Sequence, residues 1–233
     1  MTLAIISLAV CIIATAIFIC VSLLKGGKWG LITKIIASLC FVVAGLLAIL
    51  HLPKSITDST WAWFLFTGLA LGMAGDVFMD IKEKDITDTN IYLNSGMLCF
   101  GIGHFMYFAG LTLVADLRCN VLIPTGIAIV LGLIITLLIF LNSSSFGIKW
   151  GKAKWQSFAY SVALASMFVY SVAMAVLDKH LWMFAVAMAL FFISDIILSL
   201  IYFADKKTHL MRTLNWSTYY LAQQAIVLFI FLI

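Results

Sequence analysis

Eight runs of mostly apolar residues follow one another with hardly a gap, covering roughly 3–24, 30–50, 61–81, 91–114, 121–141, 155–177, 181–203 and 214–233. About 20 such residues are enough to cross a hydrocarbon core of about 30 Å. Inside lipid the backbone has no water to bond with, so a run of this kind is stable only as a helix. The expected fold is therefore an all-α integral membrane protein, a single polytopic domain over 1–233 with eight transmembrane helices. With 64% hydrophobic and 10% charged residues, nothing is left over for a soluble domain. Any chemistry has to lie inside the bundle.

The placement of charge predicts the orientation. The loops after the first, third, fifth and seventh runs, with Lys34 just inside the second, hold Lys25, Lys28, Lys34, Lys82, Lys84, Lys149, Lys152, Lys154, Lys206, Lys207 and Arg212. The other loops hold only Lys54, Arg118 and Lys179. Eleven basic residues against three put the first set in the cytoplasm and both termini on the non-cytoplasmic side. Tryptophans 29, 61, 63, 150, 155, 182 and 216 fall near helix starts, as an interfacial aromatic belt would. The basic loops need no nucleic-acid partner, and the expected surroundings are membrane lipids, in the cell's inner (plasma) membrane. The first run has no basic residue before it and Lys25 and Lys28 after it, so it reads as a retained helix. Cys11, Cys20, Cys40, Cys99 and Cys119 show no Cys-x-x-Cys spacing. They read as small packing residues.

Two aspartates interrupt this apolar pattern. Asp76 lies in Gly72-Met73-Ala74-Gly75-Asp76-Val77-Phe78-Met79-Asp80, and Asp195 in Phe191-Phe192-Ile193-Ser194-Asp195-Ile196-Ile197-Leu198. A carboxylate at membrane depth costs a few kcal/mol unless it finds a partner or a water-filled cavity. Asp80, one turn beyond Asp76, is close enough to the loop to be merely solvated. Other polar residues collect at a similar depth: Lys34, His104 with Tyr107 one turn away, Tyr160 and Ser161, and Asn215, Tyr219 and Gln223. Lys34 either snorkels to the headgroups or serves as a cation for a lipid phosphate or for Asp76. The helices carrying these residues are expected to line one pocket, with the first and fifth as shields.

The chain also repeats itself. Lys28-Trp29-Gly30 recurs as Lys149-Trp150-Gly151, offset by 121, and the two aspartates are offset by 119. From Asp76 to His104 is 28 residues, and from Asp195 to Gln223 is also 28. Two parallel four-helix halves, approximately 1–115 and 121–233, follow from this pattern.

Gly75-Asp76, Gly103-His104 with Tyr107, Ser194-Asp195, and Asn215, Tyr219 and Gln223 together resemble the YhhN-like family, which contains the lysoplasmalogenases and the mammalian transmembrane protein 86. The resemblance implies a membrane hydrolase that cleaves the vinyl ether bond of a lysoplasmalogen, giving a fatty aldehyde and glycerophosphoethanolamine or glycerophosphocholine, with no cofactor. Cleavage begins with protonation of the vinyl β-carbon, and water then captures the oxocarbenium ion. Two carboxyls in different environments suit these steps. Asp76, Asp195 and His104 are the expected catalytic residues. Lys34, Tyr107, Tyr160, Asn215, Tyr219 and Gln223 are expected around the lysophospholipid and its water. Two rivals use the same residues. One is a lipid or small-molecule transporter with intramembrane acids. The other is a metal-dependent lipid hydrolase with Asp76, His104 and Asp195 as ligands. No His-x-x-His or Glu-x-x-His spacing supports the second, so no metal is expected.

Overall fold

The computed structural model describes residues 2–52, 60–84, 91–116 and 120–233, with the backbone alone at 82–84. Its described residues form eight α-helices: α1 (Thr2–Leu24), α2 (Gly27–His51), α3 (Thr60–Lys84), α4 (Ile91–Asp116), α5 (Leu122–Leu141), α6 (Lys154–Leu177), α7 (Trp182–Phe203) and α8 (His209–Leu232). These match the apolar runs closely except at the start of α8. That helix begins five residues before its apolar run, because the Thr208 hydroxyl accepts the Met211 amide at 3.2 Å and caps a polar first turn. Helices α1 to α7 are long and apolar enough to cross a membrane. The expected eighth span differs: α8 has 24 residues, but Asn215, Gln223 and Gln224 dilute its apolar character. All three are buried against neighbouring helices.

Six helices close a ring in the order α2, α3, α4, α6, α7, α8 and back to α2. α1 lies outside against α2 and α8, and α5 lies outside against α6. Their outward faces carry rows of exposed aliphatics such as Ile5, Val10 and Ile13 on α1 and Ile123, Val130 and Leu138 on α5. A surface of this kind fits a multi-pass membrane protein with lipid around it.

Where helices touch, small residues let them approach. A Cβ at Gly110 of α4 would lie 2.6 Å from Leu65 Cδ2 and 2.8 Å from the Trp61 carbonyl oxygen of α3. Asn215 ties α8 to α7: its amide nitrogen donates to the Ser194 carbonyl at 2.8 Å and to the Ser194 hydroxyl at 2.9 Å. The Ser194 hydroxyl donates in return to the Asn215 carbonyl at 3.2 Å.

The tryptophans do not all form a belt. Trp29, Trp155 and Trp182 are exposed, whereas Trp61 is buried and Trp216 packs on Phe18 at 5.0 Å. The two Lys-Trp-Gly segments also differ in setting. Trp29 sits exposed on α2, while Trp150 stacks on Phe140 at 4.2 Å in the α5–α6 connection. Cys11, Cys20, Cys40 and Cys99 are free thiols. Lys54, Arg118 and Cys119 lie outside the described residues.

Gly110→Val is expected to lower unfolding stability by about 1–3 kcal/mol through overpacking. Gly126→Val should leave it unchanged, because that position on α5 meets nothing within 4 Å. Thermal unfolding of the two variants in detergent compares them directly.

Candidate functional site

Asp76 is buried at 5% exposure on the face of α3 that meets α2 and α8. The neighbouring helices supply it with donors. Its Oδ2 accepts the Ser38 hydroxyl at 2.6 Å and the Tyr219 hydroxyl at 2.9 Å, and the Lys34 ammonium lies 3.7 Å from Oδ1. The bonds behind these donors point the same way. Tyr107 donates to Gln223 Oε1 at 2.8 Å, and Gln223 Nε2 donates to the Tyr219 oxygen at 3.0 Å. On the other flank the Tyr220 oxygen lies 2.9 Å from Ser38. Since the single Ser38 proton goes to Asp76, the Tyr220 proton is left to divide between the Ser38 oxygen and the Lys34 carbonyl, 3.3 Å away. The Tyr107–Gln223–Tyr219 chain and Ser38 direct their protons at one carboxylate. That is how a buried anion is stabilised in a low dielectric. Lys34, at 8% exposure, therefore does not snorkel; it partners Asp76.

The packing of α3 makes this possible. A Cβ at Gly72 would fall 2.6 Å from Gln223 Nε2 and 3.3 Å from the Tyr219 oxygen. A side chain there would push the Gln223 amide aside, so the glycine lets the Gln223–Tyr219 link pass α3.

Asp195 has different surroundings. Tyr160 of α6 donates to its Oδ2, and His104 Nε2 of α4 lies 3.3 Å from the Tyr160 oxygen. Tyr160 spends its proton on Asp195, so this pattern assigns the Nε2–H tautomer to His104. Nδ1 is then a bare acceptor, with no hydrogen-bond partner among the described residues. Among the described residues no cation lies within ion-pairing reach of Asp195. It is only half-buried because it forms part of the wall of an open apolar groove. Tyr160, Met97, Leu164 and Phe192 line that groove beside it, and Trp150 closes one end.

The two aspartates expected to act as a pair are thus held in separate clusters. Phe191 stands between them, with its ring 4.6 Å from His104 on one side and 5.4 Å from Tyr219 on the other. Phe100 flanks it, 6.2 Å from Phe191 and 5.9 Å from Tyr219. Tyr107, close to His104 in sequence, bonds into the Asp76 network instead. Asn215 spends its amide on Ser194, which makes it a helix lock. Asp76, His104 and Asp195 do not converge on one point, and the described residues contain no group of three His, Cys, Asp or Glu side chains able to hold a metal. Sequence reasoning missed Ser38 and passed over Tyr220. Ser38 follows Lys34 by one helical turn and so shares its face, a signal available from spacing alone.

A second, small and more polar hollow adjoins the groove. Lys34, Asp80, Arg212, Asn215 and Trp216 line it, and it shares Met79, Leu198 and Tyr202 with the groove wall.

The Asp76 network makes a stability prediction. Lys34→Met leaves a buried carboxylate without its cation, and its cost should be about 3–5 kcal/mol. Most of that loss should be recovered in Lys34→Met/Asp76→Asn, and a double-mutant cycle on unfolding midpoints reads the coupling.

Comparison with functionally described proteins and with solved structures returned no match. Comparison with family models matched the YhhN family over residues 29–230, from the first turn of α2 to near the end of α8. The match spans all six ring helices, both aspartate clusters and the groove between α6 and α7, and the chain belongs to the YhhN family.

Proposed function

We propose that the chain is a membrane hydrolase that cleaves the vinyl ether bond of a lysoplasmalogen, releasing a fatty aldehyde and a glycerophospho-headgroup. One observation carries the reading: Asp195 sits in the wall of an apolar groove, with Tyr160 on one carboxyl oxygen and His104 behind Tyr160. An alkyl chain lying along this open apolar groove would carry its vinyl ether past Asp195, a carboxyl with no cation within ion-pairing reach among the described residues.

The chemistry is then as follows. The Asp195 carboxyl gives its proton to the β-carbon of the vinyl ether, and the double bond becomes an oxocarbenium ion held against the new carboxylate. Water adds to the cationic carbon and passes a proton back to Asp195. The resulting hemiacetal breaks its C–O bond to the glycerol, yielding the aldehyde and the free glycerol hydroxyl. Tyr160 orients the carboxyl, and His104 holds the Tyr160 oxygen. Asp76 has two hydroxyl donors on Oδ2 and an ammonium 3.7 Å from Oδ1, which suits a permanent anion. Its role is electrostatic, a fixed negative charge near the developing cation, rather than proton transfer.

The remaining parts of the reading are our own inference too. The chain crosses the plasma membrane eight times, α8 included, with Lys34 and Arg212 toward the cytoplasm and both termini outside. Its halves are a duplication, which the ring supports: shifting every helix by four turns the α2–α3, α3–α4 and α2–α8 contacts into α6–α7, α7–α8 and α4–α6. A carrier is less well supported. The helices run unbroken past both aspartates, where carriers unwind theirs.

Aldehyde release from a lysoplasmalogen by the detergent-purified protein is the direct test. The wild type should release it and Asp195→Asn should not, while Tyr160→Phe should lose about 10²-fold in kcat, in the range of a positioned acid–base partner. Near wild-type turnover by Asp195→Asn would refute the proton-transfer role.

A further inference from the structure

The polar hollow beside the groove has no role in the chemistry above, yet it gathers three charged side chains from three helices. It brings a carboxylate, Asp80 near the end of α3, and two cations, Lys34 of α2 and Arg212 in the first turn of α8, around one small hollow with the Trp216 indole. This cavity adjoins the apolar groove instead of opening as an isolated cleft: Met79, Leu198 and Tyr202 belong to both walls. The Tyr202 hydroxyl donates to the Met79 carbonyl at 3.1 Å, so the partition is a strut between α7 and α3.

The spacing along α7 also fits. Leu198 and Tyr202 lie three and seven residues beyond Asp195, about 4.5 and 10.5 Å along the helix axis. In a one-chain glycerophospholipid, five bonds separate the ether oxygen from the phosphorus, about 6 Å when extended. With the ether oxygen at Asp195, the phosphate would reach the partition.

We infer that this hollow is the headgroup pocket for a zwitterionic phospho-amine lipid, with Arg212 and Lys34 facing the phosphate and Asp80 and Trp216 facing the ammonium. Guanidinium suits a phosphate because its planar fork donates two parallel bonds. An indole face beside a carboxylate suits a primary or quaternary ammonium. Lys34 gives the pocket a second connection, since it also lies 3.7 Å from Asp76. A phosphate arriving there joins the same charge network as the buried aspartate. The inference rests on the lipid-hydrolase reading for the identity of the ligand, but its test does not depend on hydrolysis.

The probes are three saturated ether lipids, which the proposed chemistry cannot cleave: 1-alkylglycerol, 1-alkylglycerol 3-phosphate and 1-alkylglycerophosphoethanolamine. Binding to the detergent-purified full chain is measured by calorimetry. The wild type should bind the phosphoethanolamine lipid at least about tenfold more tightly than alkylglycerol, as charge-assisted bonds to phosphate would give. Arg212→Gln should remove that gap while leaving alkylglycerol affinity unchanged, and Arg212→Lys should keep part of it. Asp80→Asn should abolish the preference for phosphoethanolamine over the plain phosphate. Equal wild-type affinity for alkylglycerol and the phospholipid would overturn the assignment, and so would Arg212→Gln weakening all three lipids alike. The two readings can fail separately. This binding pattern without aldehyde release leaves the pocket standing and removes the hydrolase. Aldehyde release with a KM indifferent to Arg212→Gln does the reverse.

Discussion

A carboxylate cannot be left bare in a bilayer, and the core of this protein is arranged around that constraint. Asp76 is held by Ser38, Tyr219 and Lys34, and beyond Tyr219 the Tyr107–Gln223 chain carries its protons toward the same group. The network draws on α2, α3, α4 and α8, so satisfying one charge also sets the relation of four helices. Gly72 is part of the same solution, because the Gln223–Tyr219 link passes where a side chain would otherwise stand. Removing the charge pair would leave these helices packed mainly by shape. Shape alone discriminates weakly between helix registers in lipid, where apolar faces gain little by meeting.

Asp195 answers the same constraint in the opposite way. It has one donor in Tyr160 and a groove in front of it. The protein surrounds one carboxyl group with partners and leaves the other nearly bare, with Phe191 and Phe100 between them. Such an asymmetry is what a pair of carboxyls needs to take different roles. His104 and Gln223, each 28 residues beyond an aspartate, reach Tyr160 and Tyr219, so the same spacing serves different carboxyls.

Much of the site was legible before any coordinates, for definite reasons. A polar group at membrane depth stands out against an apolar background, so Asp76, Asp195, His104, Lys34, Tyr219 and Gln223 announced themselves. Ser38, Tyr220 and Tyr202 did not, because serine and tyrosine are ordinary in apolar helices and acquire meaning only through a partner across the bundle. Asn215 stood out for the same reason as the others, but its polarity is used up in fastening α7 to α8. Trp61 and Trp216 looked interfacial by position and proved to be packing residues.

The sequence by itself determined that the chain forms long apolar helices, where most of them begin and end, and that charge would be hidden inside their bundle. These are local consequences of hydropathy and capping, which act over neighbouring residues along one helix. The tertiary structure decided which polar groups meet. It sorted them into a saturated cluster around Asp76 and an open one around Asp195, placed an aromatic wall between, and set a charged hollow beside an apolar groove. Those outcomes depend on how each helix is rotated against neighbours far away in sequence. That rotation is set by the combined packing of six helices, and no single run of residues contains it.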